Sequence, residues 1–401
     1  MARAWIALAI LLTAGSGRAD TPKTGLRWRG SIAAAFGTTG GVGHREVTAP
    51  VFDLSASIKP SLRLGDFRFA VPLSLSHVER IDQPFDTTSG ELGLIAGWRV
   101  SSWLRLGVDG GLGATGKFGW PDSFQPRSGE LVSTDRFSHF DRSVGARAVV
   151  GVAKGHRLFA RVEYLLEDGT NDPSFQPVLW PDHIAPSDHA LASLDVGWRH
   201  RRKRLGIGVG LRLSERRDFF RFAQDAGTGQ THASPGGSPA NPLRHLLGLA
   251  PSVDARFAIS RRFRGKAAYT LEIVDDPFQG YRSSVSHRPE VAVEYRSRAR
   301  VSVKAWVGVD LKRYGEDSYA VVGSHPPLDD GERRYDRRGR LGISGAAPLM
   351  KHVWLTAEAR GLVRSTNFPD YQASVYPSNR KYDIDWDYEG WTVLLGLRVT
   401  K

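Results

Sequence analysis

The sequence predicts an all-β fold, a transmembrane antiparallel up-and-down β-barrel of about sixteen strands, within a range of roughly 14–18. Three observations predict it. Apolar residues recur at every second position along most of the 401-residue chain. The segments that link these alternating stretches are short and long in turn. After residue 19, no stretch approaches the roughly 18 unbroken apolar residues that a membrane-spanning helix needs.

The stretch "GWRVSSWLRLGVDGGLG", at 97–113, illustrates the alternation. Leu104, Leu106 and Val108 share one face of an extended segment, and Arg105 lies on the opposite face. A sheet built from such strands has one apolar side and one charged side. That pattern is typical of a wall that separates lipid from water.

We predict sixteen strands, because this alternation recurs over stretches about as long as the roughly 9–11 residues that cross a bilayer at a tilt. The predicted strands lie at 25–36, 50–60, 66–77, 89–100, 103–114, 141–153, 157–167, 188–199, 205–215, 246–260, 265–274, 288–297, 300–312, 335–346, 352–364 and 386–400.

The connections carry as much information as the strands. Short links follow alternate strands, as at 101–102, 154–156 and 297–299, whereas long segments such as 115–140 and 217–245 follow the others. Bacterial outer-membrane barrels combine short periplasmic turns with long external loops and an even strand count. A soluble sandwich or propeller, the alternative for a β-rich chain, has no reason to alternate in this way.

The N-terminus predicts export, since residues 1–19 match a secretory signal peptide. Arg3 precedes an apolar run, and Ala19 follows small residues at a suitable cleavage point. We expect 20–401 to be a single barrel domain, with no room for a plug or a periplasmic domain before the first strand. The chain has no cysteine, which excludes disulfides and lipid attachment at an N-terminal cysteine.

The last strand, "EGWTVLLGLRVTK", alternates Trp391, Val393 and Leu395 outward and resembles the C-terminal strand of Gram-negative outer-membrane β-barrels. The layout of the whole chain is similar to that of sixteen-stranded porins. One departure is that the chain ends Thr400-Lys401, whereas that class usually ends on an aromatic residue.

The resemblance implies an integral protein of the outer membrane of a Gram-negative bacterium. It implies outer-membrane lipid, lipopolysaccharide and the barrel-assembly machinery as partners, and it leaves monomer and trimer open. No nucleic acid partner is expected.

The positions predicted to face inward carry more basic than acidic residues. A wet wall of this kind favours anions. The alternative is that neighbouring opposite charges neutralise each other and only brace the wall. The basic candidates for lining the lumen are Arg68, Arg99, Arg105, Arg147, Arg161, Arg212, Arg256, Lys304, Arg340 and Arg360.

Two sets of loop residues are further candidates. Porins fold their third external loop into the pore, and the equivalent segment here carries Asp122, Glu130 and Asp135 as candidate constriction residues. Two loops share the sequence motifs "SFQP" and "WPD". Their aromatic side chains are candidates for stacking on sugar rings. The alternative is that these residues only stiffen the loops. These aromatic residues are Trp120, Phe124, Phe175 and Trp180.

No catalytic residue, cofactor or strong metal motif is predicted, and we expect the protein not to be an enzyme. His139 lies in "SHFDRS", where adjacent residues point to opposite faces of a strand and cannot form a triad. "DIDWD" offers Asp383, Asp385 and Asp387 as a weak Ca²⁺ candidate.

Two classes of function remain. The first is a channel that passes hydrophilic, preferentially anionic solutes, or an acidic polymer such as a polysaccharide, through a basic lumen. The second is a barrel without transport, either a surface adhesin or the outer-membrane anchor of a surface or export machine, which would have periplasmic export components as partners.

Overall fold

The structure, a computed structural model, describes residues 24–42, 47–80, 86–118, 139–169, 189–221, 243–277, 283–315, 335–367, 371–375, 380–384 and 388–400. All regular structure within these ranges is β-strand. None of these ranges contains a helix with the length and apolar character needed to cross a bilayer.

Twenty-one strand segments make up the described part of the chain. Their bounds are β1 Thr24–Arg27, β2 Gly30–Val42, β3 Val47–Ile58, β4 Ser61–Leu64, β5 Phe67–Ala70, β6 Leu73–Arg80, β7 Asp86–Arg99, β8 Leu104–Phe118, β9 His139–Ala153, β10 His156–Gly169, β11 His189–Arg202, β12 Leu205–Arg221, β13 Leu243–Ala258, β14 Phe263–Asp275, β15 Ser284–Arg296, β16 Ser302–Tyr314, β17 Tyr335–Pro348, β18 Val353–Thr366, β19 Tyr371–Val375, β20 Arg380–Ile384 and β21 Tyr388–Thr400.

Nineteen of these segments form one closed sheet. Six of the nineteen make up three bent pairs, and when each pair is counted as one strand the sheet is a barrel of sixteen strands. The pairs are β1 with β2, β3 with β4, and β5 with β6. Pro60 and Pro72 lie at two of the bends, and proline interrupts a ladder because it has no amide hydrogen to donate. The predicted fold class and strand count are therefore confirmed. The β19–β20 hairpin, which the sequence did not predict, forms a separate small sheet.

Pairing between the first and last barrel strands closes the wall. β2 pairs antiparallel with β21 from Ser31 opposite Thr400 to Val42 opposite Glu389. Each barrel strand in between pairs with its neighbours in chain order. Closure leaves no sheet edge, so the backbone amides and carbonyls of the wall have partners within the protein.

Seven short turns join the strands at one end of the barrel, which we call the turn end, as the alternation predicts. Gly65 and Gly155 adopt positive φ angles of 60° and 85° in two of these turns, a conformation that favours glycine. The longer connections lie at the opposite end, the loop end, and most of their residues are outside the described ranges. In bacterial barrels the turns face the periplasm.

Several strands are longer at the loop end than the sequence predicts. β8 continues to Phe118 and β12 to Arg221, whereas their predicted ends are at 114 and 215. Apolar alternation marks only the part of a strand that contacts lipid. Backbone hydrogen bonds extend the ladder beyond that part, where alternation is absent.

The outer face of the barrel is apolar, because large aliphatic and aromatic side chains at alternate positions point away from the lumen. Val144, Leu112 and Leu395 are 59%, 59% and 58% exposed. A belt of such residues around the whole wall is far larger than the apolar patches that soluble proteins expose. Lipid is the environment that such a surface fits.

The outward face of β9 is open to a direct test with two neighbouring positions. Val144→Arg places a charge on the outer face near the middle of the strand, whereas Ser143→Arg places the same side chain on the inner face between Asp141 and Gly145. We expect Val144→Arg to lower the free energy of unfolding by roughly 2–4 kcal/mol if the site is near the bilayer midplane, and Ser143→Arg to cost much less. Denaturant titration of the refolded protein in lipid measures both, and equal losses would contradict the assignment of faces.

Candidate channel lumen

The inner face of the barrel is recognised by contacts between side chains of strands that are not adjacent. Arg161 of β10 donates a hydrogen bond from Nη2 to Oδ2 of Asp109 on β8, at 2.8 Å. The two side chains reach each other across Gly145 of β9, where a Cβ would lie 3.1 Å from Asp109 Oδ2. Side chains converge in this way on the concave side of a wall, so this face lines the lumen.

All ten basic candidates from the sequence lie on this inner face. They are distributed over most of the wall: Arg68 on β5, Arg99 on β7, Arg105 on β8, Arg147 on β9, Arg161 on β10, Arg212 on β12, Arg256 on β13, Lys304 on β16, Arg340 on β17 and Arg360 on β18. Their role in passing solutes stays a prediction.

Four of the ten are neutralised by carboxylates. Arg161 contacts both Asp109 and Glu163, and Arg212 makes two hydrogen bonds to Asp195 at 2.8 and 3.0 Å. Arg256 lies 3.4 Å from Asp254, and Arg360 pairs with Glu358. The bracing role that the sequence left open fits these four residues, and they contribute little net charge to the lumen.

The other six basic candidates form no ion pair with any described residue, and four of them lie together at the turn end. Arg68, Arg99, Arg105 and Arg147 are contributed by β5, β7, β8 and β9, which are neighbours in the wall. Four more basic residues join them around one cavity of about 540 Å³. The complete group, which we call the basic patch, is Arg27, Arg29, Lys59, Arg63, Arg68, Arg99, Arg105 and Arg147.

The basic patch contains almost no acidic residues. Asp66, in the turn between β4 and β5, is the single carboxylate among the residues that line this cavity. Gly107 makes room for Arg147, because a Cβ at that position would lie 2.8 Å from Arg147 Nε. Unpaired charges of one sign on a low-dielectric wall produce a positive potential that attracts anions.

Four members of the basic patch were missed in the sequence. Arg27, Arg29, Lys59 and Arg63 lie beside bends or at the ends of short segments, where apolar alternation is interrupted. Strand pairing is the feature that could have identified one of them, since Arg63 lies directly opposite Arg68 in the β4–β5 hairpin.

The turn end is basic on the other side of the barrel as well. A second cavity, of about 550 Å³, is lined by turn and strand residues of β11 to β16. Arg199, Arg201 and Arg204 contribute to it, and Asp254 and Glu294 are its carboxylates. Positive charge therefore extends around much of the turn end, rather than being confined to the basic patch.

The predicted loop residues lie outside the described part of the chain. These are the candidate constriction residues Asp122, Glu130 and Asp135, the candidate stacking residues Trp120, Phe124, Phe175 and Trp180, and two members of the Ca²⁺ candidate, Asp385 and Asp387. Asp383 is placed in β20, opposite Gln372.

A closed sixteen-stranded barrel with an apolar outer belt and a charged inner wall defines the class of the protein. It is an integral outer-membrane β-barrel with a porin-like layout. No protein-family model matches the chain, and no curated protein matches it.

Several solved outer-membrane proteins have a similar architecture. A bacterial polysaccharide outer membrane secretin is 10% identical, over 93% of this chain and 98% of that chain, with a TM-score of 0.45. An anion-selective porin from Comamonas acidovorans is 9% identical over 94% and 100% of the two chains, with a TM-score of 0.45. The outer membrane protein opdK from Pseudomonas aeruginosa is 9% identical over 94% and 99%, with a TM-score of 0.46. These likenesses transfer no substrate to this chain.

Bracing and unpaired arginines should respond differently to neutralisation. Arg161→Gln leaves Asp109 and Glu163 without their shared cation, whereas Arg68→Gln removes a charge that has no partner among the described residues. Because Arg161 is partly solvated, we expect its replacement to lower the free energy of unfolding by about 1 kcal/mol, and that of Arg68 to leave it unchanged. Denaturant midpoints measure the difference. A larger loss for Arg68→Gln would contradict the division into braced and free charges.

Proposed function

We propose that this protein is a channel that passes hydrophilic solutes across the outer membrane and prefers anions, either small solutes or an acidic polymer such as a polysaccharide. The single observation that carries the proposal is the basic patch. It places eight cationic side chains and one carboxylate around a cavity in the wall of the lumen.

The width and polarity of the barrel support a water-filled path. Sixteen strands enclose more space than side chains alone fill, unlike the eight strands of a small barrel. The inner wall carries ionised groups, such as Arg68 and Arg105, that have no partner among the described residues. Burying such groups in a dry interior would be far more costly than hydrating them in a lumen.

The distribution of charge supports a preference for anions. Anions entering from the turn end would meet several cations from neighbouring strands before they meet a comparable number of carboxylates. An extended group of this kind suits a ligand with repeated negative charges, because several arginines can contact successive carboxylate or phosphate groups. Salt should weaken the preference, since these charges are exposed to solvent and are screened.

The adhesin or anchor alternative depends on external loops and makes no use of the inner wall. An unpaired basic patch inside the barrel has no purpose in that case. The geometry of the described residues therefore favours the channel.

Reversal of the basic patch tests the proposal. We expect the triple variant Arg68→Glu, Arg105→Glu and Arg147→Glu to shift the channel from anion towards cation preference, because it replaces three unpaired positive charges with negative ones. Reversal potentials across a salt gradient in planar bilayers measure the shift. The matched control reverses Arg142, Arg313 and Arg337, which lie on the outer face, and should keep the original selectivity.

Two results would contradict the proposal. An open channel whose selectivity is the same in both triple variants would show that the basic patch does not line the conducting path. A wild-type barrel that inserts but never conducts would favour the adhesin or anchor.

A further inference from the structure

A second group of polar side chains lies on the inner wall at the loop end, away from the basic patch. Asp141 of β9 is directly opposite Glu167 of β10, which in turn is directly opposite His189 of β11. His139 lies two residues before Asp141 and therefore on the same face of β9. Adjacent strands thus group the side chains of His139, Asp141 and Glu167, and His189 approaches this group through Glu167.

Three of these side chains place ligand atoms close enough together to share one ion, and His189 lies beside one of the three. Candidate ligand atoms of His139, Asp141 and Glu167 all lie within 4.8 Å of one another. His139 Nε2 is 3.6 Å from Asp141 Oδ2, and His189 Nδ1 is 3.9 Å from Glu167 Oε1. Both distances exceed hydrogen-bond length. They are close to the roughly 3.4 Å that separates ligands bound about 2.1 Å from a tetrahedral metal ion.

Burial and an unsatisfied oxygen also favour the binding of a cation by this group. The side chain of His189 is 8% exposed and that of Glu167 is 21% exposed. Asp141 Oδ1 is buried and has no hydrogen-bond partner among the described residues. A buried carboxylate oxygen without a partner is costly, and a cation that binds it would remove the cost.

A glycine on the neighbouring strand leaves room for the Asp141 carboxylate. Gly113 of β8 is opposite Asp141, and a Cβ on Gly113 would lie 3.1 Å from Asp141 Oδ2. A larger residue at that position would crowd the carboxylate and restrict its movement towards a ligand.

We propose that His139, Asp141, Glu167 and His189 form a binding site for a transition-metal dication, of which Zn²⁺ is the representative. Two imidazole nitrogens with two carboxylates are a donor set that suits zinc and its neighbours. Ca²⁺ and Mg²⁺, in contrast, prefer oxygen ligands alone. The site is independent of the proposed channel function.

A bound ion would connect β9, β10 and β11 at the loop end of the barrel. It would therefore stabilise the wall at the mouth of the lumen. Binding should weaken at acidic pH, because protonated imidazoles cannot bind a metal.

Titration of the untagged, refolded full-length chain with Co²⁺ tests the site, since tetrahedral Co²⁺ has strong visible absorption and is displaced by Zn²⁺. We expect one ion per chain and at least a tenfold loss of affinity in the double variant His139→Gln and His189→Gln. His287→Gln is the matched control, because His287 lies on the outer face and contacts Tyr269. It should bind like wild type.

Folding is monitored separately by the shift in gel mobility between unheated and boiled samples. Zn²⁺ should raise the unfolding temperature of wild type and of His287→Gln, and leave that of the folded double variant unchanged. The proposal is wrong if the folded double variant binds Co²⁺ as tightly as wild type, or if wild type shows no absorption and no Zn²⁺-dependent shift.

Discussion

The fold depends on one constraint, which is that the backbone amides and carbonyls of a chain in a bilayer must find partners within the protein. The pairing of β2 with β21 meets that constraint for the first and last barrel strands. Closure of the sheet then determines which face of each strand meets lipid and which meets the lumen. Each strand must present alternate residues to lipid and to the lumen, and a shift of one residue would exchange the two sets. Strand register therefore controls both insertion and the chemistry of the inner wall.

The inner wall divides into regions of different chemistry because the register brings particular side chains together. Between the two ends, Arg161 of β10 is neutralised by Asp109 of β8, two strands away, and Arg212 of β12 by Asp195 of the adjacent β11. The turn end is strongly basic, and the loop end carries the histidine and carboxylate group around Asp141. A solute that crosses the barrel would meet these regions one after another. The charge of the wall therefore changes along the length of the lumen.

Much of the fold was predictable from the sequence, whereas the grouping of side chains was not. Alternation identified sixteen strands and the correct face for residues such as Arg105, because a period of two is a local property. The bend at Pro72 and the extension of β12 to Arg221 depend on pairing, which local patterns do not record. The same limit explains why the sequence predicted no metal motif around His139: Glu167 and His189 are supplied by two other strands.

The most direct test of the central claim, that the wall separates lipid from a water-filled lumen, uses the absence of cysteine in the natural chain. Leu394 and Leu395 are adjacent leucines in β21, and the structure directs Leu394 into the lumen and Leu395 to the outer face. In intact outer membranes, a charged, membrane-impermeant thiol reagent should modify the Leu394→Cys variant quickly and the Leu395→Cys variant hardly at all. Equal reactivity at the two positions, or faster reaction of the Leu395→Cys variant, would contradict the account.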